Sequence, residues 1–200
     1  MAGADSDRTY RSQGGLRDAS QARPWEGGAT FSLGNRLYRA MFSVAWCLLA
    51  SWTPPPLYRW RRVVLLAFGA RMHPTSKVYG SVRIWSPRNL VMDAHAAVGP
   101  RATLYTMATI TLGAYSIVSQ GAHLCTGSHD VEDPHFQLIR KPIRVGERAW
   151  VAADAFVGPG VVVGDGAILG ACGCAMTDLE PWSIYRGNPA AKVRERRIRF

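Results

Sequence analysis

The chain is poor in charge, and poorer still in acid. Charged side chains make up 19% of its 200 residues, and 24 Lys and Arg face only 14 Asp and Glu, for a formal charge of +10. Low charge beside 48% hydrophobic residues excludes a chain that stays disordered outside its termini. The basic excess would suit nucleic acid, an anionic membrane face or a phosphorylated small molecule. It comes with no zinc-finger spacing, no RNP-like segment and no basic strand interleaved with aromatics, so no nucleic-acid partner is expected. Cysteine is scarce too. Cys47, Cys125, Cys172 and Cys174 have no convincing metal-ligand spacing, and Cys172 and Cys174, two apart, have no His partners nearby; they read as small side chains in a reducing compartment, and no metal is expected. A long apolar run is also missing. The uncharged stretch from Ala40 to Tyr58 contains Pro54, Pro55 and Pro56, and its apolar core is short for a bilayer. The polar first 30 residues lack the basic start and apolar core of a signal peptide. A cytoplasmic protein is expected. Peripheral contact with the inner membrane stays open, because Trp52, Trp60, Arg59, Arg61 and Arg62 could sit at an anionic interface.

What the chain does have is a six-residue beat. Apolar anchors fall at Met92, Val98 and Leu104, at Leu112, Val118 and Leu124, and again at Val145, Val151, Val157, Val163 and Leu169. A compact residue follows four positions later, as at Ala96, Ala102, Ala108, Ser116, Ala122, Ala149, Ala155 and Ala167, and glycine often follows the anchor directly, as at Gly99, Gly113, Gly146, Gly158, Gly164 and Gly170. A helix repeats near 3.6 residues and a half-buried strand at 2, so a strict six fits neither. It fits a triangular coil with one short strand per side, tight corners and the anchors in a narrow apolar column. The predicted fold is therefore an all-β core built as a parallel β-helix.

The domain plan that follows has a polar arm over 1–30, a helical extension over 31–71, the coil over 72–180 and a turn with a basic tail over 181–200. The helices are expected over Leu33 to Trp52, carrying Leu37, Met41, Val44 and Leu48, and over Leu57 to Phe68, covering one end or side of the coil. Residues 72–91 read as an irregular lead-in, with Val78, Ile84 and Leu90 on the beat, and the coil is expected to end after Leu169. Two interruptions stand out. The spacing stretches to eight between Leu104 and Leu112, and a protruding loop runs from about 126 to 143. Repeat proteins place such insertions on a functional face.

That loop begins Thr126-Gly127-Ser128-His129-Asp130. A neutral imidazole takes a proton from a hydroxyl near pH 7 more readily than any other side chain, which marks His129 as a candidate general base. Asp130, Asp93 or another acid could hold its tautomer. His123 reads as structural, in a corner-like place. His135 is a candidate acceptor contact, and Asp93 and His95 lie where a neighbouring chain could bring them to the loop. Trp150, placed at a corner, is too large for the column and should wall a groove or pack under the loop. Amides near Ala152 and Ala153 are candidates for holding an oxyanion.

Together the hexads, the stretch Ser119-Gln120-Gly121-Ala122-His123-Leu124-Cys125-Thr126-Gly127-Ser128-His129-Asp130, the segment Lys141-Pro142-Ile143 and the exit Arg186-Gly187-Asn188-Pro189-Ala190-Ala191-Lys192-Val193 resemble the left-handed β-helix, hexapeptide-repeat acyltransferases. Within that family the chain is most similar to the colanic-acid-type acetyltransferases of exopolysaccharide biosynthesis. The resemblance covers about residues 30 to 195. It implies a homotrimer with active sites between neighbouring coils, acetyl-CoA as donor, a carbohydrate acceptor, and direct transfer of acetyl to a sugar hydroxyl with His129 as base. It maps the cofactor region onto Trp150, Ala152, Ala153, Gly170, Ala171, Asn188, Pro189 and Lys192, with the Ala153 amide at the oxyanion. Val151-Ala152 departs from the usual Ile-Gly, and Cys172-Gly173-Cys174 from the usual last coil; both leave acetyl transfer standing. An amino sugar, serine or xenobiotic acceptor, or a non-catalytic β-helix scaffold, remains as the alternative.

Overall fold

The computed structural model describes residues 16–198; residues 1–15 of the expected arm and Arg199 of the basic tail lie outside the described residues. Short strands stack into three sheets that form the sides of a triangular prism. The first sheet holds Arg71–Met72, Leu90–Met92, Ile110–Leu112, Ile143–Val145 and Val162–Val163. The second holds Lys77–Val78, Ala97–Val98, Ile117–Val118, Trp150–Val151, Ile168–Leu169 and Ser183–Arg186. The third holds Arg83–Ile84, Thr103–Tyr105, His123–Cys125, Phe156–Val157 and Cys174–Ala175. Parallel pairing sets the anchors over one another: Met72, Met92, Leu112, Val145 and Val163 in one column, Val78, Val98, Val118, Val151 and Leu169 in the next. These side chains are buried. Strands of two or three residues make few ladder bonds each, so the column is the main source of stability, at about 1.5–3 kcal/mol per fully buried Val, Leu or Met.

The corners explain the small residues. The third residue after an anchor turns the chain with a left-handed φ, between 54° and 60° at His95, Arg101, Tyr115, Arg148, Asp154 and Cys172. The glycine directly after an anchor serves a different need. A Cβ on Gly113 would stand 2.8 Å from the amide nitrogen of Glu147 in the coil above, so stacking at 4.8 Å or so leaves no room for a side chain.

The coil is longer than the hexads predict at both ends. Residues 72–91 are a complete coil, and register places Met92 between Met72 and Leu112, whereas Leu90 pairs with Ile110. Past Leu169, Cys174–Ala175 joins the third sheet, Leu179 bridges Val163, and Ser183–Arg186 joins the second. Ala191–Glu195 then turns back antiparallel on Ser183–Arg186, so the basic tail begins as an edge strand. Ala175, Leu179 and Tyr185 carry the core through this coil on residues that break the aliphatic pattern. Ala108 is only partly buried, and Thr106 takes the enclosed position at that corner.

Among the described residues, three α-helices precede the coil: α1 (Ala19–Ala22), α2 (Leu33–Leu49) and α3 (Tyr58–Ala67). Ser32 caps α2 by accepting the Asn35 amide. The buried face of α2 is Tyr38, Phe42 and Trp46, spaced one helical turn apart. Trp46 Nε1 donates to the Gly80 carbonyl at 3.1 Å and Tyr38 Oη to that of Phe68 at 2.6 Å. The aromatic stripe reaches further into the first coil than an aliphatic one would. Leu37, Met41, Val44 and Leu48, also apolar, stay exposed. No helix among the described residues is long and apolar enough to cross a membrane. The basic cluster divides: Arg59 is exposed, Arg62 donates to the Met72 carbonyl, and Arg61 is 0% exposed among backbone carbonyls.

His123 lies in a strand of the third sheet, not at a corner, with its ring 5.3 Å from Phe156. Burial lowers its pKa, so the fold favours the neutral ring. Above about pH 6.5 the ring is neutral folded or unfolded; below it the unfolded chain binds the proton first, and stability falls. Thermal unfolding across pH 7 to 5 is expected to show a declining melting temperature that flattens in His123→Phe. An equally steep decline in the variant would assign the effect elsewhere.

Candidate active site

The corner between the third and first sheets is where the chain departs from six. The two-residue excess between Leu104 and Leu112 recurs one coil earlier, between Ile84 and Met92. Two buried hydroxyls, Thr106 and Thr126, satisfy the backbone there. Thr106 Oγ1 accepts the Ser86 amide at 2.8 Å and donates to the Ser86 carbonyl at 2.9 Å. Thr126 Oγ1 accepts the Ala108 amide and donates to the Tyr105 carbonyl. On the next coil the excess grows into a β-hairpin. Gly127–His129 pairs antiparallel with Leu138–Arg140, setting His129 opposite Leu138 and Gly127 opposite Arg140. A Cβ on Gly127 would stand 2.5 Å from the sulfur of Met107.

His129 is exposed on this hairpin, with Nδ1 2.6 Å from the Phe136 carbonyl. A carbonyl only accepts, so Nδ1 carries the proton and Nε2 keeps its lone pair, as a general base requires. The orienting partner found for the ring is thus a backbone oxygen, where an acid was expected. The Asp130 carboxylate accepts the Glu132 amide at 3.1 Å. His135 is half-buried, with the ring of Trp25 stacked on it at 5.1 Å. The arm clasps the hairpin a second time through the Ala19 amide, which donates to Gln137 Oε1 at 2.7 Å.

Beside His129 lies a cleft of about 450 Å³, walled by Phe31, Arg36, Arg39, Trp85 and Tyr105. The Arg39 guanidinium sits 3.7 Å over the Trp85 ring, and Trp85 meets Tyr105 at 4.8 Å. Burial, then the neighbouring Cys125, raises the Tyr105 phenol, which stays protonated and able to donate. Sequence reading missed all five wall residues. They are scattered over 31–105, and the only signal was the eight-residue spacing at their corner.

The predicted cofactor residues share another edge, between the second and third sheets. Trp150 lies within a strand rather than at a corner, facing outward between Ile117 and Ile168, with Nε1 donating to Ser119 Oγ at 2.8 Å. The Ala152 amide is committed to the Leu169 carbonyl, whereas the Ala153 amide makes no hydrogen bond among the described residues. Gly170 and Ala171 occupy the same corner one coil on, and Asn188 and Pro189 lie in the turn beyond Ser183–Arg186. Lys192 is paired with Glu180 at 2.6 Å and with Glu195, which raise its ammonium pKa and compensate its charge. Arg196 Nη1 donates to the Arg148 and Gly166 carbonyls, which ties the tail to the coil. Asp93 and His95 sit on the remaining edge, between the first and second sheets, where His95 stacks on Tyr115 at 4.8 Å. One chain therefore spreads the base, the cofactor residues and the Asp93–His95 pair over three edges of the prism.

No protein-family model matches the chain. Individual proteins do. The chain is 40% identical over 166 residues to WcaF of Escherichia coli K12, named for a proposed role as a colanic acid biosynthesis acetyltransferase; the match covers 83% of this chain and 91% of that one. In three dimensions it resembles a galactoside acetyltransferase solved with coenzyme A, with a TM-score of 0.75 at 19% identity over 90% of this chain and 91% of that one. A maltose O-acetyltransferase from Clostridium difficile 630 gives 0.74 at 17% identity over 84% and 90%. The two structures speak for the fold; the sequence shared with WcaF speaks for descent. Its three-sided coil, its hairpin histidine and that shared sequence place the chain in the left-handed β-helix, hexapeptide-repeat acyltransferase family, as an acetyl-CoA-dependent enzyme.

Proposed function

We propose that the enzyme moves acetyl from acetyl-CoA to a hydroxyl of a carbohydrate, a glycan or exopolysaccharide precursor. The observation that carries this reading is His129, fixed by the Phe136 carbonyl with Nε2 left as acceptor, at the mouth of a cleft lined by aromatic rings and arginines. A sugar offers apolar ring faces to Trp85 and Tyr105 and a hydroxyl to the base. His129 Nε2 takes the hydroxyl proton as the oxygen attacks the thioester carbonyl. The new C–O bond forms, the carbonyl becomes an oxyanion, and the Ala153 amide is positioned by its lack of another partner to receive it. Collapse breaks the C–S bond, and the proton on His129 returns to the departing thiolate. Asp93 and His95 are retained as acceptor contacts from a neighbouring chain, and His135 as a support under the arm.

Because base and cofactor residues occupy different edges of one prism, a complete site takes its cofactor edge from another copy, and a homotrimer supplies three such sites. The outward apolar residues Ile117 and Trp150 support a subunit contact. On α2, exposed Leu37, Met41, Val44 and Leu48, with Trp52 beyond, support peripheral contact with a cytoplasmic membrane face.

The test is acceptor-dependent release of free CoA, with mass spectrometry locating the acetyl group on the product. Expected is release that requires a saccharide and yields an O-acetyl ester. Release driven equally by serine or by xenobiotic alcohols, with no saccharide accepted, would overturn the carbohydrate reading.

A further inference from the structure

A second cleft, of about 550 Å³, adjoins the His129 cleft and shares Phe31 and Trp85 with it. Arg140 forms part of its wall. This side chain is 7% exposed; its Nη1 donates to the Met107 carbonyl at 3.3 Å, and its Nη2 has no partner among the described residues. A buried guanidinium nitrogen left unpaired is rare, so its partner is to be sought in a ligand. The rest of the wall agrees. Arg88 lines the cleft with its guanidinium 3.7 Å over the Tyr38 ring, and Gly34 and Asn35 bring the N-terminal turn of the 17-residue α2 to it. That turn contains no acidic residue, and among the described residues no Asp or Glu lines the cleft. Two guanidiniums and the N-terminal turn of α2, with no carboxylate beside them in the cleft among the described residues, match a doubly charged tetrahedral anion better than a single carboxylate.

The position relative to the base gives this charge a use. His129 faces Leu138 across the hairpin, and Arg140 is two residues beyond Leu138 on the same face. That offset is about 7 Å along the strand, the scale that separates an anomeric phosphate from a hydroxyl across the same sugar ring. We infer that Arg140, Arg88 and the first turn of α2 form a phosphoryl subsite of the acceptor site, so that the acceptor is a sugar joined to a phosphate or diphosphate. This rests on the reading that His129 serves a sugar hydroxyl. It places the enzyme after a reaction that attaches the sugar to phosphate and before one that releases it.

Two measurements test it. The first needs no turnover: binding of inorganic phosphate and of a hexose 1-phosphate, by calorimetry, to the wild type, Arg140→Gln, Arg88→Ala and His129→Ala. Binding is expected to weaken at least about tenfold in either arginine variant and to persist in His129→Ala. The exposed Arg88 guards against the chance that Arg140→Gln fails to fold. Undiminished binding in a folded arginine variant would overturn the subsite, as would wild-type binding abolished by coenzyme A, which would mark it as a cofactor site. The second compares kcat/KM for a hexose 1-phosphate and the methyl glycoside of the same hexose. A preference of about tenfold or more for the phosphate, collapsing in Arg88→Ala, is expected. A uronic acid favoured as strongly as the phosphate would overturn the phosphoryl assignment. Phosphate binding lost on Arg140 substitution, with no sugar acetylated, would leave the subsite standing and sink the sugar-acceptor reading instead.

Discussion

Replacing His129 with alanine is expected to lower kcat by about 10²- to 10⁴-fold, the usual contribution of a general base. A sugar hydroxyl is a poor nucleophile while it keeps its proton, and His129 Nε2 is the acceptor that the hairpin leaves uncommitted. The ring is exposed on the hairpin, so the substitution removes little buried surface, and the melting temperature should stay within a degree or two of wild type. The KM for acetyl-CoA should also hold, since the proposed cofactor residues lie on another edge. His129→Gln sharpens the test, because it keeps size and polarity but accepts no proton. Residual kcat above a tenth of wild type in both variants would remove His129 from the chemistry.

The largest effect on stability is expected at Arg61. Composition places this residue in a basic surface cluster, but the fold encloses it completely. Its Nε donates to the Val78 carbonyl at 2.7 Å, Nη1 to Thr53 Oγ1 and the Pro54 carbonyl at 2.9 Å each, and Nη2 to the Pro55 carbonyl at 2.7 Å. It therefore joins α3, the triple-proline turn and the first coil. Arg61→Ala takes the donor from the buried Val78 carbonyl and Thr53 hydroxyl and empties the enclosed space, and about 3–5 kcal/mol of stability should be lost. For a chain of this size that is a fall of roughly 6–20 °C in melting temperature. Arg61→Lys should recover only part, because an ammonium cannot span acceptors set around a planar fork. Exposed Arg59→Ala should change stability by less than about 0.5 kcal/mol. Equal melting temperatures for Arg59→Ala and Arg61→Ala would return Arg61 to the surface.

Arg61 also shows where sequence reading stops. Three arginines within four residues look alike on paper, and only the packing of α3 against the coil sends one inward and leaves another in water. The same limit applies at the ends of the coil. Ala175, Leu179 and Tyr185 continue the column, but they are not one residue class at one spacing, so the hexad signal fades before the structure does. On α2 both stripes are apolar; the shape of the first coil selects Tyr38, Phe42 and Trp46 for burial.

The sequence by itself determined the triangular coil, because a period of six has one compact solution and glycine at the close approaches permits it. It also determined that the interruption after Leu124 carries the candidate base, since a repeat tolerates an insertion only where the insertion leaves the stack. Tertiary structure alone decided what surrounds that base. The Phe136 carbonyl that sets the tautomer, the Trp85 and Arg39 pair that walls the cleft, and Arg140 with its unpaired nitrogen come from different coils and a helix. No local period records such neighbours. Closing the chain around the prism brings them to one corner, and three-dimensional closure is the physical step that a one-dimensional pattern does not contain.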